Sequence, residues 1–444
     1  MTDAGTTSRG SRRPVVAAGI GTLIEGYDLL IYGYLASSLA GQFFPAGDPT
    51  MALLNTYAIF ALGFVVRPLG GVAFGHVGDR FGRRTALTTS ILLMAIATLG
   101  IGVLPPYATI GAAAPALLLA CRLLQGFSIG GEYVGANIMV LEHAAGGRSG
   151  RTVSVNQVAA YLGAAAAAAT SLLLAGALTH EQLAGWGWRL PFLAAVPLGL
   201  VGLYLRARVP ESPALLPDRD DRPSFPLIVA ARTAWRGMIV FAGWLAMITL
   251  GGFLVFGYMP TYLTRVVGLS AAGAFGANLG ALGALAVGAV AGGHLVDRYP
   301  PRPVAVVCAA GVAVSVVPGF LLMQHGTVVT AMLGQAVWAG WIGAGATVSA
   351  LMSASQFPPA IRYTATGLAY NVTVALVGGT APYVSTWLIA RTHSPVIPAW
   401  YLVGMALVAL TTAIRGLRSG QRPTVARPSR LRRNRLRLGT DGGR

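Results

Sequence analysis

A charged turn that occurs twice is the feature that most constrains the fold of this 444-residue chain. Residues 75–84 read GHVGDRFGRR, and residues 293–302, starting 218 positions later, read GHLVDRYPPR. Each copy joins two long apolar segments at the same place in its half of the chain. Self-similarity at a fixed spacing indicates an internal structural repeat, so the sequence predicts two pseudo-symmetric halves.

The composition is that of a membrane protein. Apolar residues make up 55% of the chain and charged residues 10%, whereas an average soluble domain has about 25% charged residues. Because a spanning helix needs about 20 apolar residues, the sequence predicts an all-α membrane protein with twelve transmembrane helices in two six-helix bundles. The predicted spans are 15–38, 52–75, 85–104, 115–141, 152–177, 190–207, 237–262, 272–293, 303–323, 327–351, 363–390 and 396–415.

Charged and proline-rich stretches divide the chain into five parts. These are a cytoplasmic N-terminal tail 1–14, a bundle 15–207, a cytoplasmic linker 208–235, a second bundle 236–415 and an Arg-rich cytoplasmic tail 416–444. With both termini inside, 27 of the 32 arginines fall on the inner side and three on the outer side. The positive-inside rule therefore predicts a multi-pass protein of the cell membrane with both termini cytoplasmic.

Several classes of function are disfavoured by what the sequence lacks or where its residues stand. There is no lysine, so a Walker phosphate loop cannot be built and ATP-driven transport is not expected. The two cysteines, Cys121 and Cys308, lie within apolar segments, which argues against a disulfide framework or a metal site. The basic tail follows a span, so it predicts contact with anionic lipid, or a merely solvated segment, rather than nucleic-acid binding. We expect no enzyme, no cofactor and no obligatory protein partner.

Five charged residues stand inside predicted spans, all in the first half: Glu25, Asp28, Arg67, Arg122 and Glu132. A charge at the centre of a bilayer costs about 2.5–3.5 kcal/mol on insertion scales, so such residues usually serve a function. By depth, Glu25, Arg67 and Glu132 share one layer, while Asp28 and Arg122 share another. Glu25 and Asp28 are three residues apart, so we expect both to face one cavity. The set predicts proton coupling and substrate binding; structural salt bridges between helices are the alternative.

Polar and aromatic residues within the spans are candidates for the wall of a substrate cavity. Either Arg67 or Arg122 presents a guanidinium fork that suits a carboxylate, which favours organic anions over sugars. For any single candidate, helix-to-helix hydrogen bonding is the alternative role. The other candidates are Tyr32, Gln125, Asn156, Gln157, Tyr161, Tyr258, Asn278, Gln335, Trp338, Tyr370 and Asn371.

Several motifs together resemble the major facilitator superfamily and, within it, the metabolite:proton symporters, which have a sugar-porter-like fold. Besides the turn at 75–84, these are Glu-Gly-Tyr-Asp at 25–28, FVVRPLGG at 64–71, RLLQGFSIGGEY at 122–133, WRLPF at 188–192 and PESP at 210–213. Two departures are Gly26, where the family usually has an aromatic residue, and Pro300, which replaces a glycine of the repeated turn.

The resemblance implies roles for particular residues. Asp28 and Arg122 would handle the proton; Glu25 and Glu132 join the predicted proton-coupling set as the other acidic residues within spans. A charge relay would close the inner side of the protein, with plain solvation of loop charges as the alternative. The resemblance implies Asp79, Arg83, Glu142, Arg151 and Glu211 for that relay, and we include Arg80, Asp297 and Arg298 of the repeated turns in the predicted set.

The function predicted from the sequence is import of a small organic acid or zwitterion together with protons, by alternating access of two bundles. The partners are then a small-molecule substrate, protons and the lipid bilayer, and the proton gradient supplies the energy. A proton-coupled exporter on the same fold is the first alternative. A membrane sensor that binds a metabolite without transporting it is less favoured, because no soluble output domain fits in the chain.

Overall fold

The computed structural model describes residues 12–45, 47–81, 83–130, 141, 149–207, 226–358 and 361–416. These residues form helices and connecting turns, with no β-strand among them. Twelve long helices within the described residues are numbered here as spans 1 to 12, and the side at which span 1 begins is called the inner side. The all-helical, twelve-span fold predicted from the apolar segments is confirmed.

The spans of the first half are Arg12–Tyr34, Pro49–Val65 continued by Arg67–Phe81, Arg83–Val103, Ala113–Ile129, Ser149–Ala177 and Leu190–Ala207. Those of the second half are Trp235–Arg265, Ala271–Arg298, Pro301–Met323, Val328–Ser355, Arg362–Thr392 and Ile397–Gly416. Short helices connect some spans: Ala36–Phe43, Tyr107–Ile110, His180–Gly185 and Pro226–Thr233. The last of these lies within the predicted linker 208–235, whose residues 208–225 are outside the described residues.

Prolines interrupt three spans. Span 2 breaks at Val66, whose N–H turns back to the carbonyl of Phe64, because Pro68 has no N–H to continue the helix. Spans 7 and 11 each contain one π-helical turn, Leu254–Tyr258 and Val374–Gly378, shortly before a proline. A π turn inserts one extra residue and is frequent at functional sites.

Small residues allow the helix backbones to approach closely. A Cβ atom on Gly126 of span 4 would overlap the carbonyl oxygen of Gly63 in span 2, and one on Gly288 of span 8 would overlap that of Gly340 in span 10. Helices in lipid associate through such close packing, since lipid gives no hydrophobic driving force between them. Glycine residues of the spans therefore lie where helices cross and let their backbones come close.

We predict that Gly126→Ala destabilises the protein, because the added methyl group forces spans 2 and 4 apart. Overpacking of this kind costs about 1–3 kcal/mol and should lower the melting temperature of the purified protein in detergent by several degrees. Gly283→Ala is the matched control, since a Cβ there meets no atom within 4 Å. Equal melting temperatures for the two variants would contradict this packing.

Candidate functional site

A cavity of about 140 Å³ lies between the two halves, in the inner part of the bundle. The first half contributes its charged residues, Glu25 from span 1 and Arg67 from span 2. The second half contributes hydroxyl groups and rings from spans 7, 10 and 11. The remaining polar and aromatic residues of the lining are Thr22, Gln157, Tyr161, Phe241, Thr249, Phe253, Phe256, Ser349, Ser353, Thr366 and Tyr370.

Arg67 reaches the cavity because span 2 breaks at the residue before it. Its side chain is 3% exposed, and its guanidinium carbon lies 4.7 Å from the centroid of the Phe64 ring. The Nε and Nη2 atoms have no hydrogen-bond partner among the described residues. An unsatisfied buried donor is costly, so Arg67 offers two donors to an anionic group that enters the cavity.

Asp28 does not line the cavity, although Glu25 does. The cavity-lining face of span 1 is defined by Thr22, Glu25, Gly26, Leu29 and Leu30. At 100° per residue, Asp28 lies on one flank of that face, the side that also carries Tyr32 four residues later. The expectation that Glu25 and Asp28 face one cavity is therefore not met here.

Asp28 is a buried carboxylate of span 1. Its side chain is 1% exposed, and neither carboxylate oxygen has a hydrogen-bond partner among the described residues. Within the same residues the ion pair found at 4.0 Å or less is Arg151 with Asp297, so Asp28 is not paired with Arg122. The structural salt bridge considered from the sequence is absent between these two groups. An intramembrane carboxylate in this situation is a candidate proton-binding group.

Arg122 is held by rings and an amide instead of a carboxylate. Its guanidinium carbon lies 4.4 Å from the centroid of the Tyr32 ring and 4.9 Å from that of Phe60. Its Nη1 donates to Oε1 of Gln125 at 2.7 Å, and Nε2 of Gln125 donates to the hydroxyl of Thr98 at 2.7 Å. Cation–π contacts and one neutral acceptor thus stabilise this charge inside the first half, while Nε has no hydrogen-bond partner among the described residues.

The structure divides the substrate candidates into two groups. Arg67, Gln157, Tyr161 and Tyr370 line the cavity. Eight others do not line the cavity, because their side chains make contacts between helices or between rings elsewhere. They are Tyr32, Gln125, Asn156, Tyr258, Asn278, Gln335, Trp338 and Asn371.

Specific contacts illustrate the second group. Nδ2 of Asn278 donates to the carbonyl of Val255 at 2.8 Å and to Oε1 of Gln335 at 3.2 Å, inside the second half. Nδ2 of Asn371 donates to the carbonyl of Gly130 at 3.0 Å and so joins the two halves. These side chains therefore hold helices together, as polar groups in membranes commonly do. Asn156 likewise accepts from Thr22, Tyr32 donates to Thr56, Tyr258 packs near Tyr57, and Trp338 stacks on Phe320.

Sequence reasoning missed the lining residues Thr249, Ser349, Ser353 and Thr366, and the phenylalanines Phe253 and Phe256. Hydroxyl residues are common in spanning helices because they satisfy their own backbone. Phenylalanine is indistinguishable from lipid-facing residues by hydropathy. Composition therefore gave no signal for either set, because which face of each helix borders the cavity depends on how the helices pack.

On the inner side, Asp297 of the repeated turn joins the two halves. Its Oδ1 accepts from the backbone N–H of Gly150 at 2.7 Å, and its Oδ2 accepts from that of Arg151 at 3.2 Å and lies 3.7 Å from Nε of Arg151. The Asp297 carboxylate therefore caps the N-terminus of span 5, where free N–H groups and the helix dipole favour a negative charge.

The other predicted relay residues are partly outside the described structure. The guanidinium carbon of Arg80 lies 5.5 Å from the ring centroid of Phe81, and that of Arg298 lies 5.7 Å from that of Tyr299. The two copies of the turn thus place their arginines alike. The side chains of Asp79 and Arg83, and all of Glu132, Glu142 and Glu211, lie outside the described part of the chain.

On the outer side, the halves meet at the π turn of span 7. A Cβ on Gly33 would lie 2.8 Å from Cα of Gly257, and the hydroxyl of Tyr57 donates to the carbonyl of Gly257 at 3.3 Å. Below this contact, the rings of Phe64 and Phe253 pack edge to face with centroids 5.0 Å apart. The halves therefore touch on both sides of the cavity.

Comparison with known proteins gives the family. A family model described as Major Facilitator Superfamily matches residues 18–382. The chain belongs to the major facilitator superfamily. This facilitator is 33% identical over 424 residues to the proline/betaine transporter of Salmonella typhimurium, covering 93% of the chain and 84% of the relative. It is 34% identical over 421 residues to the glycine betaine/proline/ectoine/pipecolic acid transporter of Dickeya dadantii, covering 91% and 82%.

Solved structures show the same fold. The facilitator matches a D-xylose-proton symporter with a TM-score of 0.72 at 21% identity, covering 92% of the chain and 98% of that protein. It matches a proton:xylose symporter bound to 6-bromo-6-deoxy-D-glucose with a TM-score of 0.74 at 20% identity, covering 92% and 96%. The family match and the relatives of 33–34% identity identify the protein as a multi-pass membrane transporter of small molecules, not an enzyme.

We predict that Asp297→Ala loosens the inner contact between the halves, because span 5 loses its cap and Arg151 its counter-charge. The measurement is the rate at which a membrane-impermeant maleimide labels Ser353→Cys at the cavity in inside-out vesicles, in a chain with Cys121→Ser and Cys308→Ser. Labelling should be several-fold faster with Asp297→Ala. Asp48→Ala, which removes an exposed helix cap elsewhere, is the control; equal rates in both would refute the role of Asp297.

Proposed function

We propose that the protein is a proton-coupled symporter that imports a small zwitterionic solute of the proline and betaine class by alternating access. The observation that carries this proposal is a small cavity lined by a carboxylate, Glu25, and by a guanidinium, Arg67, whose Nε and Nη2 have no hydrogen-bond partner among the described residues. A volume of about 140 Å³ is well below the roughly 300–1,000 Å³ typical of drug-sized ligand sites. The cavity therefore suits a small metabolite.

The charges of the cavity complement a zwitterion. A carboxylate can accept two parallel hydrogen bonds from a guanidinium, and Arg67 retains Nε and Nη2 for this purpose. The cationic end of the solute is then attracted by Glu25. A solute with no net charge leaves the cavity electrically balanced, whereas a dicarboxylate adds negative charge beside Glu25, which is costly in a medium of low dielectric constant.

The relatives support the same choice among the predicted substrate classes. The names of the transporters from Salmonella typhimurium and Dickeya dadantii include proline and betaine, which carry both charges. The similarity to xylose symporters is about 20% in sequence and speaks only for the fold. We therefore favour zwitterions over the other organic acids that the sequence left open.

Asp28 is the group that we propose binds the transported proton. It lies one helical turn from Glu25 and is buried without a hydrogen-bond partner among the described residues. One proton moving through 100 mV supplies about 2.3 kcal/mol, which sustains a gradient of roughly fiftyfold for a solute without net charge. The distribution of arginines predicts that the inner side is cytoplasmic, so protons that enter the cell would carry the solute inward, which is import across the cell membrane.

The test uses purified protein in proteoliposomes with labelled glycine betaine or proline. An inward proton gradient should drive accumulation above the outside concentration, and a protonophore should abolish it. Outward movement of the solute against inward protons would instead identify the exporter. Uptake that only equilibrates the solute would remove proton coupling from the proposal.

We predict that Asp28→Asn abolishes gradient-driven accumulation while solute exchange between the two sides persists, because the amide can no longer take up a proton but the cavity keeps both its charges. Exchange is measured as counterflow of labelled against unlabelled solute. Asp48→Asn is the matched control, since Asp48 caps an exposed helix start. If Asp28→Asn still concentrates the solute, the proton is carried elsewhere.

A further inference from the structure

Three aromatic rings form one wall of the cavity. Tyr161 comes from span 5, and Phe253 and Phe256 come from span 7. The ring centroids of Tyr161 and Phe256 are 5.9 Å apart, and those of Phe253 and Phe256 are 6.2 Å apart with the ring planes at 73°. The rings therefore offer faces and edges in different directions around a shared space.

Phe256 differs from the rings that close the outer side. Phe253 packs against Phe60 and Phe64, with centroids 6.1 and 5.0 Å away, and so belongs to that closure as well. Phe256 is only partly buried, and its ring folds back along span 7 over Gly252, where a Cβ would lie 3.1 Å from the ring. A larger residue at Gly252 would push this ring out of its position.

The acidic group of the cavity stands on the helix next to these rings. Span 1 packs against span 5 at Gly26, where a Cβ would lie 3.0 Å from the carbonyl oxygen of Ala160. Glu25 and Tyr161 are the immediate sequence neighbours of these two contacting residues, and both line the cavity. A carboxylate thus accompanies the aromatic wall.

This combination has a chemical preference. Aromatic faces attract cations through the ring quadrupole, and they suit quaternary ammonium groups in particular. A fully methylated nitrogen has no N–H to donate, so acceptors such as carbonyl groups cannot recognise it. Ring faces with a nearby negative charge recognise it without needing a hydrogen bond.

We propose that Tyr161, Phe253 and Phe256, together with Glu25, form the subsite for the cationic group of the solute, and that Phe256 gives preference to methylated ammonium groups. This inference rests on the proposed function, with Arg67 receiving the carboxylate. Phe256 is then the residue that distinguishes glycine betaine from unmethylated glycine and from proline.

The first test measures the affinity of the purified protein for glycine, dimethylglycine, glycine betaine and proline. Phe256→Leu should weaken binding of glycine betaine by about tenfold, within the range that cation–π contacts supply in a desolvated site, and that of proline by a smaller factor. Phe256→Trp should retain the preference. Phe241→Leu is the matched control, because Phe241 also lines the cavity but packs on Phe357. In this variant the ratio of the affinity for glycine betaine to the affinity for proline should not change.

The second test keeps the shape of the ring and covers the case in which Phe256→Leu fails to fold. Phenylalanines with one, two and three fluorine atoms are incorporated at position 256, which weakens the ring quadrupole stepwise. Affinity for glycine betaine should fall with each fluorine while affinity for proline changes less. Equal loss for both solutes, or no loss for either, overturns the subsite assignment and leaves the proposed function intact. Failure of the unmodified protein to bind any of the four solutes would instead count against the proposed function.

Discussion

The cost of holding charge away from water governs this structure. Asp28, Arg67 and Arg122 are each at most 3% exposed, and each would be expensive in a bilayer without compensation. Arg122 is compensated by two ring faces and by Gln125. Among the described residues, Arg67 keeps Nε and Nη2 without a hydrogen-bond partner, Asp28 keeps both carboxylate oxygens, and Arg122 keeps Nε. Arg67 and Asp28 keep the most unpaired atoms of the three, and we propose them as the groups that bind a solute anion and a proton.

The second half lines the cavity opposite these charges with uncharged side chains. Its spans bring hydroxyl groups and rings to the cavity, and π turns in spans 7 and 11 lie where the helices meet the first half. The outer contact at Gly257 and the inner contact at Asp297 enclose the cavity from both sides. For the cavity to reach either side, one of these contacts must separate, as the proposed alternating access requires.

Much of the fold follows from the sequence, because a run of apolar residues long enough to span lipid has few other stable conformations. The repeated turn, the twelve spans and the charged residues within them are all visible in the chain. The direction of each side chain is not. Asp28 and Glu25 differ by 60° around span 1, which places one of them off the cavity. The π turns of spans 7 and 11 shift the helical register, so the face that carries Phe256 cannot be found by a regular period.

The sequence also does not tell which polar residues of the spans line the cavity. Nδ2 of Asn278 donates to Oε1 of Gln335 inside the second half, whereas Thr249 and Ser349 line the cavity. Both arrangements are compatible with a polar residue in an apolar segment, and only the packing of neighbouring helices decides between them. Arg67 was identifiable because a charge inside a spanning helix is costly, although the sequence left a structural salt bridge as the alternative.

The central claim is that one cavity binds both charges of a zwitterion. The most direct measurement is the thermal stabilisation of the purified protein by four probes: glycine betaine, choline, succinate and xylose. We expect glycine betaine to stabilise the protein, by about 2.7 kcal/mol at a concentration of 100 Kd, and the other three, which lack one or both of its charges, to have little effect at the same concentrations. Stabilisation by succinate or xylose without stabilisation by glycine betaine would contradict the claim.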